Sequence, residues 1–434
     1  MNKLKLCIIS AATLFTGLTS AWAQQPVQLT LDQALEVALS ESNTVKIADM
    51  TVERSGYAKK GSYASLYPNI SASGSYQRTL KKQVMVMDMG GNPMEIKVGR
   101  DNNINAGVSA SMPLINAQLW QSLKLSALDV EMAVEQARSS KVSLISQVKQ
   151  AFYGALLAQE SLDLMQQVYD NAEKNYDRTL QRYNVGKASE QEMLRAQVNM
   201  MNAEPNVSSA ENTVVLATWQ LKALMGINLD TEVEVVGNLD DYAPEMLALN
   251  NPTNLGNNSA LQQFDIQLKQ LDATLKMQKA QYIPTLAANI GYNYMAMGDD
   301  ELTWHPTSTA AVSLNIPIFD GFAKRNNIKQ TRKAIDMMNL QKEDTERNLN
   351  IAAKNYTDKM ALCLKNYAAA KSTVDLALKS YQISEKMYEI GKITLVDLND
   401  AQLALTQSQL TMNQAVYDYM VAKASLDELL GKEE

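Results

Sequence analysis

The sequence predicts two copies of one unit, each a pair of membrane-crossing β-strands followed by a very long coiled-coil helical hairpin. Three observations predict it. Matching segments recur about 200 residues apart. Four runs alternate apolar and small polar residues with period two. Apolar seams of coiled-coil spacing continue far beyond the length of a globular helix.

The chain of 434 residues opens with MNKLKLCIISAATLFTGLTSAWAQQ. Lys3 and Lys5, an apolar run and Ala21-Trp22-Ala23 read as a signal peptide over 1–23, cleaved before Gln24, so the mature chain is expected to be exported. Cys7 lies too far upstream of that point for lipidation. Cys363 alone is left, so no intrachain disulfide is expected. Losing Lys3 and Lys5 takes the formal net charge from −7 to −9, the wrong sign for a nucleic-acid partner. No later stretch stays apolar for about 18 residues, so any membrane crossing must be made by strands. One histidine, His305 in a turn-like ELTWHPT, and one cysteine give little from which to build a nucleophile–base pair or a metal cluster. No enzyme, catalytic residue, cofactor or metal site is expected.

The first repeat is read over 24–226 and the second over 259–434. LYPNISASGSY (66–76) matches YIPTLAANIGY (282–292), AGVSASMPLIN (106–116) matches AAVSLNIPIFD (310–320), and RYNVGK (182–187) matches MYEIGK (387–392). Each repeat begins with a helix candidate, about 32–66 and about 259–283, ending at a proline. A β-hairpin follows, about 69–113 and about 284–317. Ile70, Ala72, Gly74 and Tyr76 share one strand face, and Ile104, Ala106, Val108, Ala110 and Met112 share the next. Leu286, Ala288, Ile290, Tyr292 and Tyr294, then Ala310, Val312, Leu314 and Ile316, repeat the pattern. Pro68 to Pro113 spans 45 residues and Pro284 to Pro317 spans 33, an excess of 12 in the first hairpin. The excess falls in VMVMDMGGNPMEIKV, an outward hairpin tip with Gly90-Gly91-Asn92 at its turn. Its Met85, Met87, Met89 and Met94 alternate as hairpin residues do. Uncharged polar faces suit a pore lining, and strands of about 10 residues suit an outer-membrane crossing. Four strands leave two open edges that lipid cannot satisfy, so several chains must share a barrel.

The long helical hairpins are read over about 116–226, with its tip near 186, and about 320–430, with its tip near 391. A seam stepping by three and four runs from Trp120 through Leu123, Ala127 and Val130 to Tyr183, broken only by Lys141 and Thr179. Its 68 or so residues at 1.5 Å each make a rod of roughly 100 Å. Cys363 lies on the corresponding seam of the second hairpin, as a buried small hydrophobe. Pro205 predicts a kink or break in the returning helix of the first hairpin. Segment 227–258, rich in Asn and Asp, reads as a linker packed like a belt around the helices.

Gly186 and Gly391 end the descending helices as left-handed caps. Ser189-x-x-Glu192 and Thr394-x-x-Asp397 follow as capping boxes, the second with a shorter acid than usual. Asp397 thus has a capping role ready to hand. Asp400 does not, since its counterpart in the first repeat is Arg195. The two aspartates, three apart, share a helix face, and a symmetric oligomer would multiply them into rings.

In this doubled order, with VDLNDA (396–401) after the second tip, the chain resembles the TolC family of outer-membrane efflux channels, over essentially all of the mature sequence. The resemblance implies a homotrimer whose shared transmembrane β-barrel, four strands per chain, sits among outer-membrane lipids and continues as a periplasmic α-helical barrel. It implies a passive conduit working with a periplasmic adaptor (a membrane fusion protein) and an inner-membrane transporter. Asp397 and Asp400 would lie at the pore constriction. Tyr388, Glu192 and Arg195 become candidates for a network holding the tips shut, and Gly186, Lys187, Gly391 and Lys392 for the tips where the adaptor docks. Ile393 stands where the archetype has an arginine, so that salt link does not carry over. The implied cargo is drugs or other toxic small molecules, with type I protein secretion and metal efflux as alternatives. A periplasmic coiled-coil adaptor or spacer would share the helical hairpins, but not the four alternating strands before them.

Overall fold

The computed structural model of the protein describes residues 27–89, 92–246 and 254–433. The expected signal peptide, Gly90 and Gly91 of the expected turn, and 247–253 of the linker lie outside these residues. The elements run in order: strand β1 (Val27–Leu29), helices α1 (Leu31–Glu41) and α2 (Asn43–Ala64), and strands β2 (Asn69–Arg78), β3 (Gln83–Met89), β4 (Asn92–Val98) and β5 (Asn102–Ile115). The first long hairpin is α3 (Ala117–Asn184) and α4 (Glu190–Met225). After β6 (Val233–Val235) and the short α5 (Ala243–Met246) come α6 (Ser259–Ala280), β7 (Thr285–Gly298) and β8 (Thr303–Asn315). The second long hairpin is α7 (Ala323–Glu389) and α8 (Leu395–Leu430).

The membrane-type sheet has the order β2-β5-β7-β8, all antiparallel, so the two repeats join at the β5–β7 pair. Register aligns the apolar faces across all four strands: Ala72 opposes Val108, Val108 opposes Tyr292, and Ala288 opposes Val312. That face is open, with Ile70 at 71% exposure, Ile290 at 63% and Val312 at 67%, as expected of a surface whose solvent is lipid. The opposite face carries hydroxyl and amide groups, such as Ser71 and Ser109 with their Oγ atoms 3.0 Å apart. β2 and β8 each keep one unpaired edge within the chain.

Beyond Arg78 and Asn102 the first hairpin continues as the separate two-stranded sheet β3–β4. Its base is clamped from the second repeat. Asp299, in the turn after β7, accepts from Lys82 Nζ at 2.8 Å, Arg100 at 3.2 Å and the Asp101 amide at 2.9 Å. The Lys82 ammonium, then the Asp101 amide, hold the Asp299 carboxyl down at about 2. A carboxyl depressed by folding adds stability that is complete above its unfolded value near 3.9 and is lost as pH falls through its folded value. The clamp is therefore expected to persist at about pH 4 and to open only near pH 2. Asp299→Asn should open it at neutral pH, read as faster hydrogen exchange across 79–101. Unchanged exchange would remove the clamp's role.

The helices pack α3 with α4 and α7 with α8, while α2, α6 and α8 also lie on α3. The main core surrounds Phe152, Leu156, Leu221, Met225, Val416, Tyr419 and Met420. The linker closes it: Leu239 and Met246 are fully buried, and the Leu239 amide donates to Glu160 Oε1 at 2.7 Å. Burial pushes the Glu160 carboxyl above its ordinary range. Strand β1 pairs in parallel with β6, tying the start of the chain to the linker. Cys363 is buried in this core, and burial raises its thiol.

Two expectations need correction. The helix expected over 32–66 is two helices, because Ser42 (φ −58°, ψ 131°) ends α1 and caps α2, its hydroxyl accepting from the Thr44 amide. The Gly226 backbone packs there, so close that a Cβ on Gly226 would lie 2.8 Å from the Glu41 carbonyl oxygen. Pro205 does not break α4, which is continuous from Glu190 to Met225. Pro205 faces outward between the buried Ala203 and Val207, whose packing holds the helix across the missing hydrogen bond. Lys141, which interrupts the seam of α3, pairs with Asp49 of α2 at 3.1 Å.

Candidate functional site

The tips of both long hairpins are built alike. Gly186 and Gly391 each adopt φ 72°, and the following amides of Lys187 and Lys392 reach back to the carbonyls of Arg182 and Met387 at 2.7 and 2.9 Å. Both capping boxes are complete. Glu192 accepts from the Ser189 amide at 2.7 Å and hydroxyl at 3.0 Å. Asp397 Oδ2 accepts from the Thr394 amide at 2.9 Å and hydroxyl at 2.7 Å, so the shorter acid reaches after all. These bonds hold both carboxyls below their ordinary range, led by the Ser189 amide for Glu192 and the Thr394 hydroxyl for Asp397.

Capping occupies one oxygen of Asp397, Oδ2, on a residue that stays exposed. Leu395 and Leu398 turn inward, buried with Ala196 and Tyr388 in a small second core, while Asp397 and Asp400 stay exposed on the outer face of α8. Asp400 makes no hydrogen bond or ion pair among the described residues. The fold thus presents two carboxylates, one turn apart, at the start of a helix that begins at a tip.

Tyr388 joins the two hairpins. It is only 7% exposed, and its hydroxyl lies 3.0 Å from Thr179 Oγ1 on α3. The Arg182 guanidinium sits 5.9 Å from the Tyr388 ring centroid, within cation–π range. Arg178 meets Glu389 at 3.4 Å, an exposed pair of little energetic weight. An open cavity of about 430 Å³ lies beside them, lined by Arg178, Gln181, Arg182, Val185, Lys187, Tyr388 and Glu389. Within one chain, Tyr388 makes no hydrogen bond to Glu192 or Arg195 among the described residues. Glu192 is held in its capping box, and Arg195 is exposed without a hydrogen bond or ion pair among the described residues. Sequence reasoning missed Thr179, Arg178 and Arg182 as partners here. The available signal was Thr179 itself, a hydroxyl on an otherwise apolar seam.

A lipid-facing sheet with open edges, continued by helices of 68 and 67 residues that meet at paired tips, is the fold of an outer-membrane channel subunit. The profile of outer membrane efflux proteins matches residues 34–227 and 252–432, and the chain belongs to that family. It is similar to outer membrane protein TolC of Vibrio cholerae serotype O1, 21% identical over 444 residues covering 99% of this chain and 96% of that protein. It is also similar to the toluene efflux pump outer membrane protein TtgC of Pseudomonas putida, 23% identical over 426 residues covering 94% of this chain and 84% of that one. Among solved structures, the open state of the Neisseria gonorrhoeae MtrE outer membrane channel superposes with a TM-score of 0.74 at 17% identity, over 100% of this chain and 98% of that one. The family consists of channel proteins, not enzymes.

Proposed function

We propose that three copies of this chain form a passive efflux conduit, taking small toxic organic molecules from an inner-membrane transporter and a periplasmic adaptor to the exterior. The observation that carries this reading is the β2-β5-β7-β8 sheet, apolar on its open face and unpaired at both edges. Pairing β8 of one copy with β2 of the next removes every edge, and three copies give a barrel of about twelve strands. The name of the toluene-pump relative supports the cargo class.

The helices would continue the barrel as a tunnel, with Asp397 and Asp400 lining its constriction. The contact of Tyr388 with Thr179 would hold the second hairpin against the first and keep the tips shut. The adaptor would dock at the tips around Gly186, Lys187, Gly391 and Lys392. The test is single-channel conductance of the purified trimer in a planar bilayer. Wild type is expected to show a small conductance, rising in Thr179→Val/Tyr388→Phe, which breaks the hydroxyl contact without emptying the core. A folded trimer with no conductance would overturn the channel; an unchanged double variant would overturn the latch alone.

A further inference from the structure

The β3–β4 hairpin has no function in the conduit just described, and its two faces differ sharply. Register places Gln83 opposite Val98, Met85 opposite Ile96 and Met87 opposite Met94 on one face. The other face carries Val84 opposite Lys97 and Val86 opposite Glu95. Sequence alternation alone shows a row of methionines on β3; the register adds Met94 from the facing strand. Directly opposed residues have Cβ atoms about 5 Å apart, and the next position along the same face is about 7 Å away. The long, flexible thioethers of Met85, Met87 and Met94 can therefore converge on one point.

These side chains are accessible, with Met85 at 44%, Met87 at 45% and Met94 at 49% exposure. A face meant only to pack would be served as well by Leu or Val, which lack a donor atom. The described positions of this face hold no Asp, Glu or His, so nothing on it suits a hard or borderline divalent ion. Neutral sulfur donors alone select soft monovalent d10 ions. The Asp299 clamp fixes the base of the hairpin, so the three sulfurs hang from a ladder anchored at one end.

We infer that Met85, Met87 and Met94 form a thioether site for a soft monovalent metal ion, Cu(I) or Ag(I), on the hairpin beyond the barrel. Binding changes no oxidation state and displaces no proton, because a thioether carries none. The inference does not rest on conduction, and the two can fail separately.

The test is competition for Cu(I) between the full chain and a chromogenic chelator, under ascorbate and without oxygen, in a Cys363→Ala background that removes the thiol. One Cu(I) per chain is expected, undisturbed by excess Zn(II). Met85→Leu/Met87→Leu/Met94→Leu keeps volume and apolarity, and should weaken binding by about a hundredfold or more while the trimer elutes unchanged. As a second readout, Ag(I) should protect these three methionines from conversion to sulfoxide by peroxide. Absence of binding, equal binding by the leucine variant, or displacement by Zn(II) would each overturn the site.

Discussion

Asp397→Asn/Asp400→Asn is expected to abolish cation preference and block by polyvalent cations, while leaving folding and trimer formation intact. Both carboxylates are exposed on one face of α8, and a threefold axis would gather three copies of the pair at one constriction, where a ring of like charge selects ions. Asparagine retains an acceptor oxygen, so the bonds from the Thr394 amide and hydroxyl can persist and the tip stays capped. Asp397→Ala separates the two roles, because it also deletes the acidic half of the capping box, leaving the Thr394 amide without its acceptor while the Thr394 hydroxyl still caps residue 397, and should loosen the start of α8. Asp400→Asn has no cap to lose and should change conduction alone. The capping bonds hold the Asp397 carboxyl below its ordinary value near 3.9, so its charge should still contribute to the block at about pH 4 and vanish only below that. Bilayer recordings of the variants, with and without a trivalent cation, decide the matter. An unaltered block in the double asparagine variant would return both aspartates to surface roles.

Features set by neighbouring residues were legible in the sequence. Ser189-x-x-Glu192 and Thr394-x-x-Asp397 close capping boxes with groups three positions apart, and Gly186 and Gly391 adopt the left-handed turns their contexts demand. The strand faces were legible because alternation fixes which residues share a side, and the four-strand order only had to align them. What sequence reasoning missed depends on partners distant in the chain. Ser42 divides a helix whose apolar pattern gave no sign of a break, because its partner there, Gly226, comes from the far end of α4. The β1–β6 pair is three residues long, too short for any period. Thr179 and Lys141 registered only as faults in a seam, and each proved to face a polar partner, Tyr388 and Asp49. The Asp299 clamp joins residues about 200 positions apart through polar contacts that leave no periodic pattern.

Gly431→Ala should be the most destabilising of the glycine substitutions at helix ends, and Gly186→Ala is its internal control. The two glycines have nearly the same backbone, φ 71° and 72°, so each alanine carries a left-handed penalty of about 1–2 kcal/mol. Their surroundings differ. A Cβ at Gly186 meets nothing within 4 Å, whereas one at Gly431 would lie 2.1 Å from the Asn257 carbonyl oxygen. That oxygen cannot retreat freely, because it accepts from Arg138 Nη2 at 2.8 Å, and Arg138 is held in turn by the buried Glu135. Asn258 adds a second tie, donating from its side chain to the Leu429 carbonyl at 2.7 Å. The clash therefore has to be relieved by parting the end of α8 from the linker and α3, exposing Leu426, Leu429 and Leu430 of the main core. A loss of about 2–4 kcal/mol beyond the control is expected, on the scale of opening a packed core position. Hydrogen exchange over 254–262 and 424–431 reads it locally, which avoids assuming reversible unfolding of a membrane trimer. Equal protection in the two alanine variants would mean that backbone geometry alone sets the cost, and that the joint between linker and helix end yields without resistance.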